Sequence, residues 1–338
     1  MGSIAFGAKQ AVVNCVRLQP GERTVVITDH GAEHIAKEIT RCAEGISPGI
    51  IRTFIMEEFG ERPDDGSNPL VFPEEIGREL ALADVSFYCA SGKKGELKSF
   101  RVPMLDAVVA NAKLRHAHMP GINDVLMTTG MSVDYAAVQQ MSRKVYDIVS
   151  EATSITVTNP AGTNMTAEFN PDWRWKISDG MIIAEDWSNL PDGEVFTCVK
   201  NIERGVIVID GILGDYFSAK YGLIEDTPLT LEIEDSRVAG VSCANSALAA
   251  EFEDYIKQDE NANRIGEFAV GTNIGLEKLV GNLLQDEKFP GIHIAVGHGY
   301  PEKTGSDWSS EAHCDAVLKN TTIIADGRTI MKDGKFTI

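Results

Sequence analysis

The sequence predicts an α/β N-terminal domain on a mostly parallel sheet, followed by a β-rich α+β domain. Three observations carry that expectation. Up to about residue 152, short β-branched runs alternate with segments of helical periodicity, the rhythm of β-α-β units. Beyond it, strand-like runs follow one another with few helices between them, punctuated by Gly, Asp and Asn. Near the end, "ADGRTIMKDGKFTI" holds Asp326-Gly327 and Asp333-Gly334, each flanked by apolar runs, the dipeptide that tight hairpin turns favour. A chain of 338 residues has room for two domains, divided here as 1–152 and 153–338.

In chain order, residues 5–17 read as a helix and "ERTVVITD" (22–29) as a buried strand. "AEHIAKEITRCAEGI" (32–46) spaces Ile35, Ile39 and Cys42 along one helical face. "GIIRTFIME" (49–57) is a strand, "PEEIGRELALA" (73–83) a helix with proline in its first turn, and "DVSFYCAS" (84–91) a third strand. "PMLDAVVANAKL" (103–114) is helical, "RHAHMPG" (115–121) a short strand, and 132–152 a long amphipathic helix. In the second part, "SITVTN" (154–159), "MIIAED" (181–186), "GEVFTCV" (193–199), "RGVIVIDG" (204–211), "LTLEIED" (229–235) and "RVAGVSC" (237–243) are strand-like. "LAAEFEDYIKQ" (248–258) and "LEKLVGNLLQDEK" (276–288) are helical.

The net charge of −19 disfavours nucleic acid and anionic membrane surfaces as partners. No apolar run reaches the length of a membrane span, and the first residues do not read as a signal peptide. Six scattered cysteines without a C-x-x-C pair fit reduced thiols, so a cytoplasmic protein is expected. The loop after the first strand, "TDHGAEH", has one glycine, and neither G-x-G-x-x-G nor a P-loop is present, which argues against a nucleotide site.

Three of the seven histidines fall in "HIAVGHGYPEKTGSDWSSEAHCD" (293–315). His293 heads a run without polar alternation, as a buried strand would. His313 and Asp315 stand two apart, and residues i and i+2 of a strand share a face. Two imidazoles and a carboxylate suit Zn, Mn, Co or Fe. The bland alternative is equally open: a His-x-Asp pair at a strand end is also a polar residue beside its hydrogen-bond partner, and His293 alone reads as a satisfied core histidine. His298 reads as a loop residue, and the H-A-H of 116–118 as strand-end packing. Glu194 and Glu267 each follow a glycine and precede an apolar run. A glutamate buried there is costly unless paired or metal-bound; on the solvent face it is ordinary. The two tryptophans of "WRW" (173–175) are candidates either for a substrate pocket or for an exposed aromatic strand.

Taken in order, "VTNPAGTNMTAEF", "DGEVFT", "GEFAVGTN", "GNLLQDEKFPGIHIAVGHGY" and "SSEAHCD" resemble the M29 metallopeptidases of the aminopeptidase T and S type, over roughly residues 150–338. The resemblance implies a homodimeric aminopeptidase that hydrolyses short peptides or small amides with two divalent cations (Zn, Co or Mn). Carried over residue by residue, it makes Glu194, Glu267, His293, His313 and Asp315 the metal ligands. It makes Glu267 the bridge between the ions, a catalytic residue together with Tyr300, which stands seven positions after His293. A related branch, the 2,5-dihydroxypyridine dioxygenases, keeps the two histidines and the aspartate around one Fe(II) but lacks the glutamates. This chain has both glutamates, which favours the two-metal reading and leaves the ring-cleaving dioxygenase as the alternative. A hydrolase for one specialised metabolite, or a non-catalytic metal-binding protein, would share the same scaffold.

Overall fold

A computed structural model describes residues 2–184 and 187–338. Its strands are β1 (Thr24–Thr28), β2 (Ile51–Ile55), β3 (Val85–Ala90), β4 (Arg115–Pro120), β5 (Ser154–Thr158), β6 (Asn164–Glu168), β7 (Lys176–Ser178), β8 (Trp187–Asn189), β9 (Glu194–Cys198), β10 (Arg204–Ile209), β11 (Leu229–Glu234), β12 (Arg237–Ser242), β13 (Ile265–Gly271), β14 (Gly291–Gly297), β15 (His313–Leu318), β16 (Thr322–Ala325), β17 (Arg328–Lys332) and β18 (Lys335–Phe336).

The chain forms two compact units, Met1–Tyr135 with Gly180–Asp192, and Ala136–Asp179 with Gly193–Ile338. This division differs from the expected boundary at 152. The long helix Tyr135–Val149 sends Val145 and Val149 into the core of the second unit, and Gly180–Asp192 returns to the first. Composition changes at 152; packing changes earlier, because the helix buries its apolar face against the later strands.

The first unit carries a parallel sheet in the order β2-β1-β3-β4-β8. β1 and β3 are buried throughout, as uninterrupted apolar runs in parallel sheets are. The helix Glu33–Glu44 turns Ile35, Ala36 and Ile39 inward. Open α/β sheets gather ligands beyond the carboxyl ends of their strands. Here that region holds a buried ion cluster of the chain's own. Arg62 lies 3.1 Å from Asp29, which follows β1, 3.1 Å from Glu57, which follows β2, and 2.7 Å from Glu96, and it donates to the carbonyl of Ser91, which follows β3. His116 and His118 on β4 are buried and form a separate relay. Arg101 donates to His118 Nε2 at 3.0 Å, so His118 Nδ1–H faces His116 Nε2 and His116 Nδ1–H faces Ser86 Oγ at 2.7 Å.

The second unit has an antiparallel eight-stranded sheet, β12-β11-β10-β6-β5-β16-β17-β18, and an antiparallel five-stranded sheet, β15-β14-β13-β9-β7. One apolar cluster joins them, with Ile155, Val157, Ile207 and Leu231 from the first sheet and Val195, Phe268, Ile294 and Ala316 from the second. Trp175 packs here against Phe169 and Phe268, so it is a core residue. The Asp-Gly pairs take positive φ at both positions and close the β16–β17 and β17–β18 hairpins.

Two expected elements differ. Of the strand expected over 181–186, residues 185 and 186 lie outside the described residues, 181–184 are not strand, and pairing begins at Trp187. The helix expected over 276–288 is reduced to Leu283–Asp286. Gly281 takes φ +79°, incompatible with a continuing helix, and the buried Asp286 carboxylate accepts the backbone N–H groups of Val280, Gly281 and Asn282. Among the described residues no helix is long and apolar enough to cross a membrane.

Candidate metal centre

Strand periodicity puts the five predicted ligands on one face of the five-stranded sheet. The register pairs Gly271 with Glu194, Ala269 with His293, Ala295 with Asp315, and Gly297 with His313. Glu194, Glu267, His293, His313 and Asp315 therefore point one way. Val195, Phe268, Val270, Ile294 and Cys314 point the other way, into the core. On the polar face Ala269, Ala295, Gly271 and Gly297 are small and leave volume in front of the sheet, while Phe196, opposite Ala269, packs against Tyr300.

A bulge aims Glu267. The pairing shifts between Ile265 opposite Val296 and Glu267 opposite Ala295, so Gly266 is the extra residue. Regular alternation would put Ile265 and Glu267 on one face; the bulge at Gly266 sends the isoleucine into the core and the glutamate to the side of the histidines. A Cβ on Gly266 would stand 2.1 Å from the Gly297 carbonyl oxygen, and one on Gly193, at φ +138°, 2.8 Å from the Asn273 nitrogen. Both glycines that precede the glutamates are thus required by close approach of another backbone.

The ligand atoms form two groups of three, Glu194–Glu267–His293 and Glu267–His313–Asp315, each within 4.8 Å of one another. Glu267 belongs to both. Its Oε1 lies 3.5 Å from His293 Nε2 and its Oε2 3.7 Å from His313 Nε2. His293 Nε2 is also 3.4 Å from Glu194 Oε2, and His313 Nε2 3.2 Å from Asp315 Oδ1. His313 Nδ1 donates to the His298 carbonyl at 3.1 Å, which leaves Nε2 to face the carboxylates. All five residues are buried or nearly so. Three carboxylates and two imidazoles with nitrogen lone pairs directed at a common space are a donor set that fits divalent first-row cations.

The same crowding controls protonation. Burial opposes charge on both imidazoles, but the carboxylates prevail. Glu267, Glu194 and Asp315 lift His293 to about 9, and Asp315 with Glu267 lifts His313 to about 10. Burial opposes charge on Asp315 as well, yet His313 and His293 hold its carboxyl down at about 2. Tyr300 places its hydroxyl 3.3 Å from His313 Nε2, and burial with the nearby carboxylates keeps its phenol well above its usual range. The tyrosine itself has left-handed backbone, φ 50°, at the start of the short helix Pro301–Thr304.

Four more residues border the site: Lys288, Glu287 and Tyr255, which sequence reasoning missed, and His298, which it read as a loop residue. Lys288 is buried, its Nζ 2.6 Å from Glu194 Oε1 and 2.8 Å from Glu287 Oε1. Burial pushes the Glu287 carboxyl up to about 8 against the pull of Lys288. Both lie at the end of the segment read as a helix over 276–288; the available signal was a Glu-Lys pair just ahead of a histidine in a buried run. Tyr255, ending the helix Ser246–Tyr255, accepts the His313 N–H and donates to the His313 carbonyl, both at 2.9 Å. His298 contributes its carbonyl, while its ring faces Glu302 at 3.7 Å. The H-A-H pair of β4 lies in the other unit, where it binds Ser86 and Arg101.

The model of the thermophilic metalloprotease (M29) family matches residues 133–334. Two solved structures align with nearly the whole chain. Wild-type AmpT from Thermus thermophilus does so at 16% identity and a TM-score of 0.72, over 99% of this chain and 99% of that one. The 2,5-dihydroxypyridine dioxygenase from Pseudomonas putida KT2440 does so at 15% identity and a TM-score of 0.70, over 98% of this chain and 96% of that one. At such identities the likeness establishes the fold, and it extends to the N-terminal unit, which the family model leaves unmatched. No curated protein sequence matches the chain.

Proposed function

The chain belongs to the thermophilic metalloprotease (M29) family, and from that premise we propose that it is an aminopeptidase-like amide hydrolase working with two divalent cations. Glu194, Glu267, His293, His313 and Asp315 would hold them. The observation that carries the reading is the position of Glu267, whose two oxygens face different histidines and which completes both groups of ligands. When bound, the cations lower the pKa of water and polarise the scissile carbonyl. The chain's own groups do the rest. Glu267 would divide its charge between the two halves of the site and fix their separation. Tyr300, kept protonated by its surroundings, donates to the oxyanion of the tetrahedral intermediate. The assay is hydrolysis of aminoacyl-anilides by chelator-treated protein resupplied with Zn, Co or Mn. Glu267→Gln is expected to abolish turnover, and turnover that survives complete metal removal would refute the proposal.

A second reading rests on His293, His313 and Asp315 alone, a 2-His-1-carboxylate set suited to one Fe(II), on a fold that a dioxygenase also uses. It predicts oxygen consumption with an electron-rich ring and tolerance of Glu194→Gln. The buried Glu194, 3.4 Å from His293, favours the hydrolase. We further propose a homodimer acting on short peptides in the cytoplasm; light scattering of the purified protein tests the assembly.

A further inference from the structure

The two halves of the ligand set are not equivalent. In the half formed by Glu267, His313 and Asp315, the positive partner of the carboxylates is His313, which is itself a ligand. In the half formed by Glu194, Glu267 and His293, a positive group that is not in the ligand set has been added. Lys288 Nζ sits 2.6 Å from Glu194 Oε1, on the oxygen of that carboxylate that does not face His293. The lysine has little freedom to leave for solvent, since its side chain is only 2% exposed. It has a second carboxylate at hand, Glu287 Oε1 at 2.8 Å. A buried ammonium held between Glu194 and the Glu287 carboxyl is a compact charge with three donors, and it offsets the charge of the Glu194 carboxylate that a cation would need.

We propose that the Lys288 ammonium stands in for a divalent cation beside Glu194, so that two cations bind in sequence and unequally. The inference rests on the metal-dependent reading above. The first cation enters at Glu267, His313 and Asp315. The second enters at Glu194, Glu267 and His293 only as Lys288 releases Glu194 and stays paired with Glu287. Lys288 is thus a positioning residue that sets the occupancy of one half of the centre. Over a range of metal concentration the chain holds one cation, and it becomes fully loaded only above that range.

The test is a titration of chelator-stripped full-length protein with Co²⁺, followed by visible absorption and calorimetry. The wild-type chain is expected to bind two ions with dissociation constants at least tenfold apart, or one ion within the accessible range. Lys288→Met is expected to tighten the weaker step tenfold or more and to change the tighter one less than threefold. Lys288→Gln, which keeps a polar head, serves if the methionine variant does not fold, with the same expectation. Glu194→Gln should leave one ion bound at the tighter step. Two equal steps in the wild-type chain, or an unchanged weaker step in both lysine variants, would overturn the inference while leaving the metal-dependent reading intact. Absence of any Co²⁺ binding would overturn that reading itself, and this one with it.

Discussion

Tyr255→Phe isolates a single hydroxyl. The ring's neighbours, Phe217 with centroids 5.7 Å away and Phe252 at 6.4 Å, would keep their contacts with phenylalanine. What disappears is the donor–acceptor pair that closes the His313 backbone, two bonds of 2.9 Å. A hydrogen bond contributes about 0.5–1.5 kcal/mol net, so losing two costs about 1–3 kcal/mol of stability. The loss falls on the residue that begins β15 and carries a proposed ligand. Partners that orient a metal-binding histidine are worth about 10–100-fold in metal affinity. Urea unfolding of the metal-free protein should show the stability change, and Co²⁺ titration the affinity change in the Glu267–His313–Asp315 half. A variant with unaltered Co²⁺ affinity and stability within about 0.5 kcal/mol of wild type would refute the argument that this phenol holds His313 in place.

Tyr300→Phe should lower kcat about 100-fold with little change in KM, since an oxyanion donor acts in the transition state; equal loss in KM would point to substrate binding instead. Arg62→Met should destabilise the chain by about 3–5 kcal/mol in denaturant titration, because Asp29 and Glu96 remain buried without their cation. His116 gives an acid-side prediction. Burial pushes it from 6.5 to about 3, so the fold favours the neutral ring. Its contribution is complete above pH 6.5 and is lost as pH falls, reaching about 2 kcal/mol at pH 5 at about 1.4 kcal/mol per pH unit. Unfolding free energies of wild type and His116→Asn at pH 8 and pH 5 should differ in slope by about that amount; parallel slopes would show that the ring is charged in the fold.

What could be read from the sequence was what local chemistry dictates. Asp-Gly pairs demand positive φ wherever they occur, so the terminal hairpins were visible. The pairing of His313 with Asp315 follows from strand alternation alone. The convergence of Glu194 and Glu267 with them needed the register of four strands and the bulge at Gly266, and the sequence held only a resemblance for it. The segment 276–288 misled because its leucines have helical spacing. In the fold Leu279 and Leu283 instead pack with Ile212 and Val317, and Gly281 interrupts the helix. That misreading concealed Lys288 and Glu287, whose burial depends on how the loop returns to the sheet. The unit boundary was displaced for a related reason, since helix Tyr135–Val149 looks like its N-terminal neighbours in composition but packs with the strands C-terminal to it.

The five-stranded sheet keeps its structural and chemical duties on opposite sides of the same strands. On β14 and β15 the odd-numbered His293, His313 and Asp315 carry the donors, while the even-numbered positions fasten the sheet to the rest of its unit. New chemistry on such a scaffold calls for point replacements, whereas inserting or deleting one residue in a strand would turn that strand's donors toward the hydrocarbon interior unless a bulge like that at Gly266 absorbs it. A framework organised this way tolerates a change of reaction far better than a change of length.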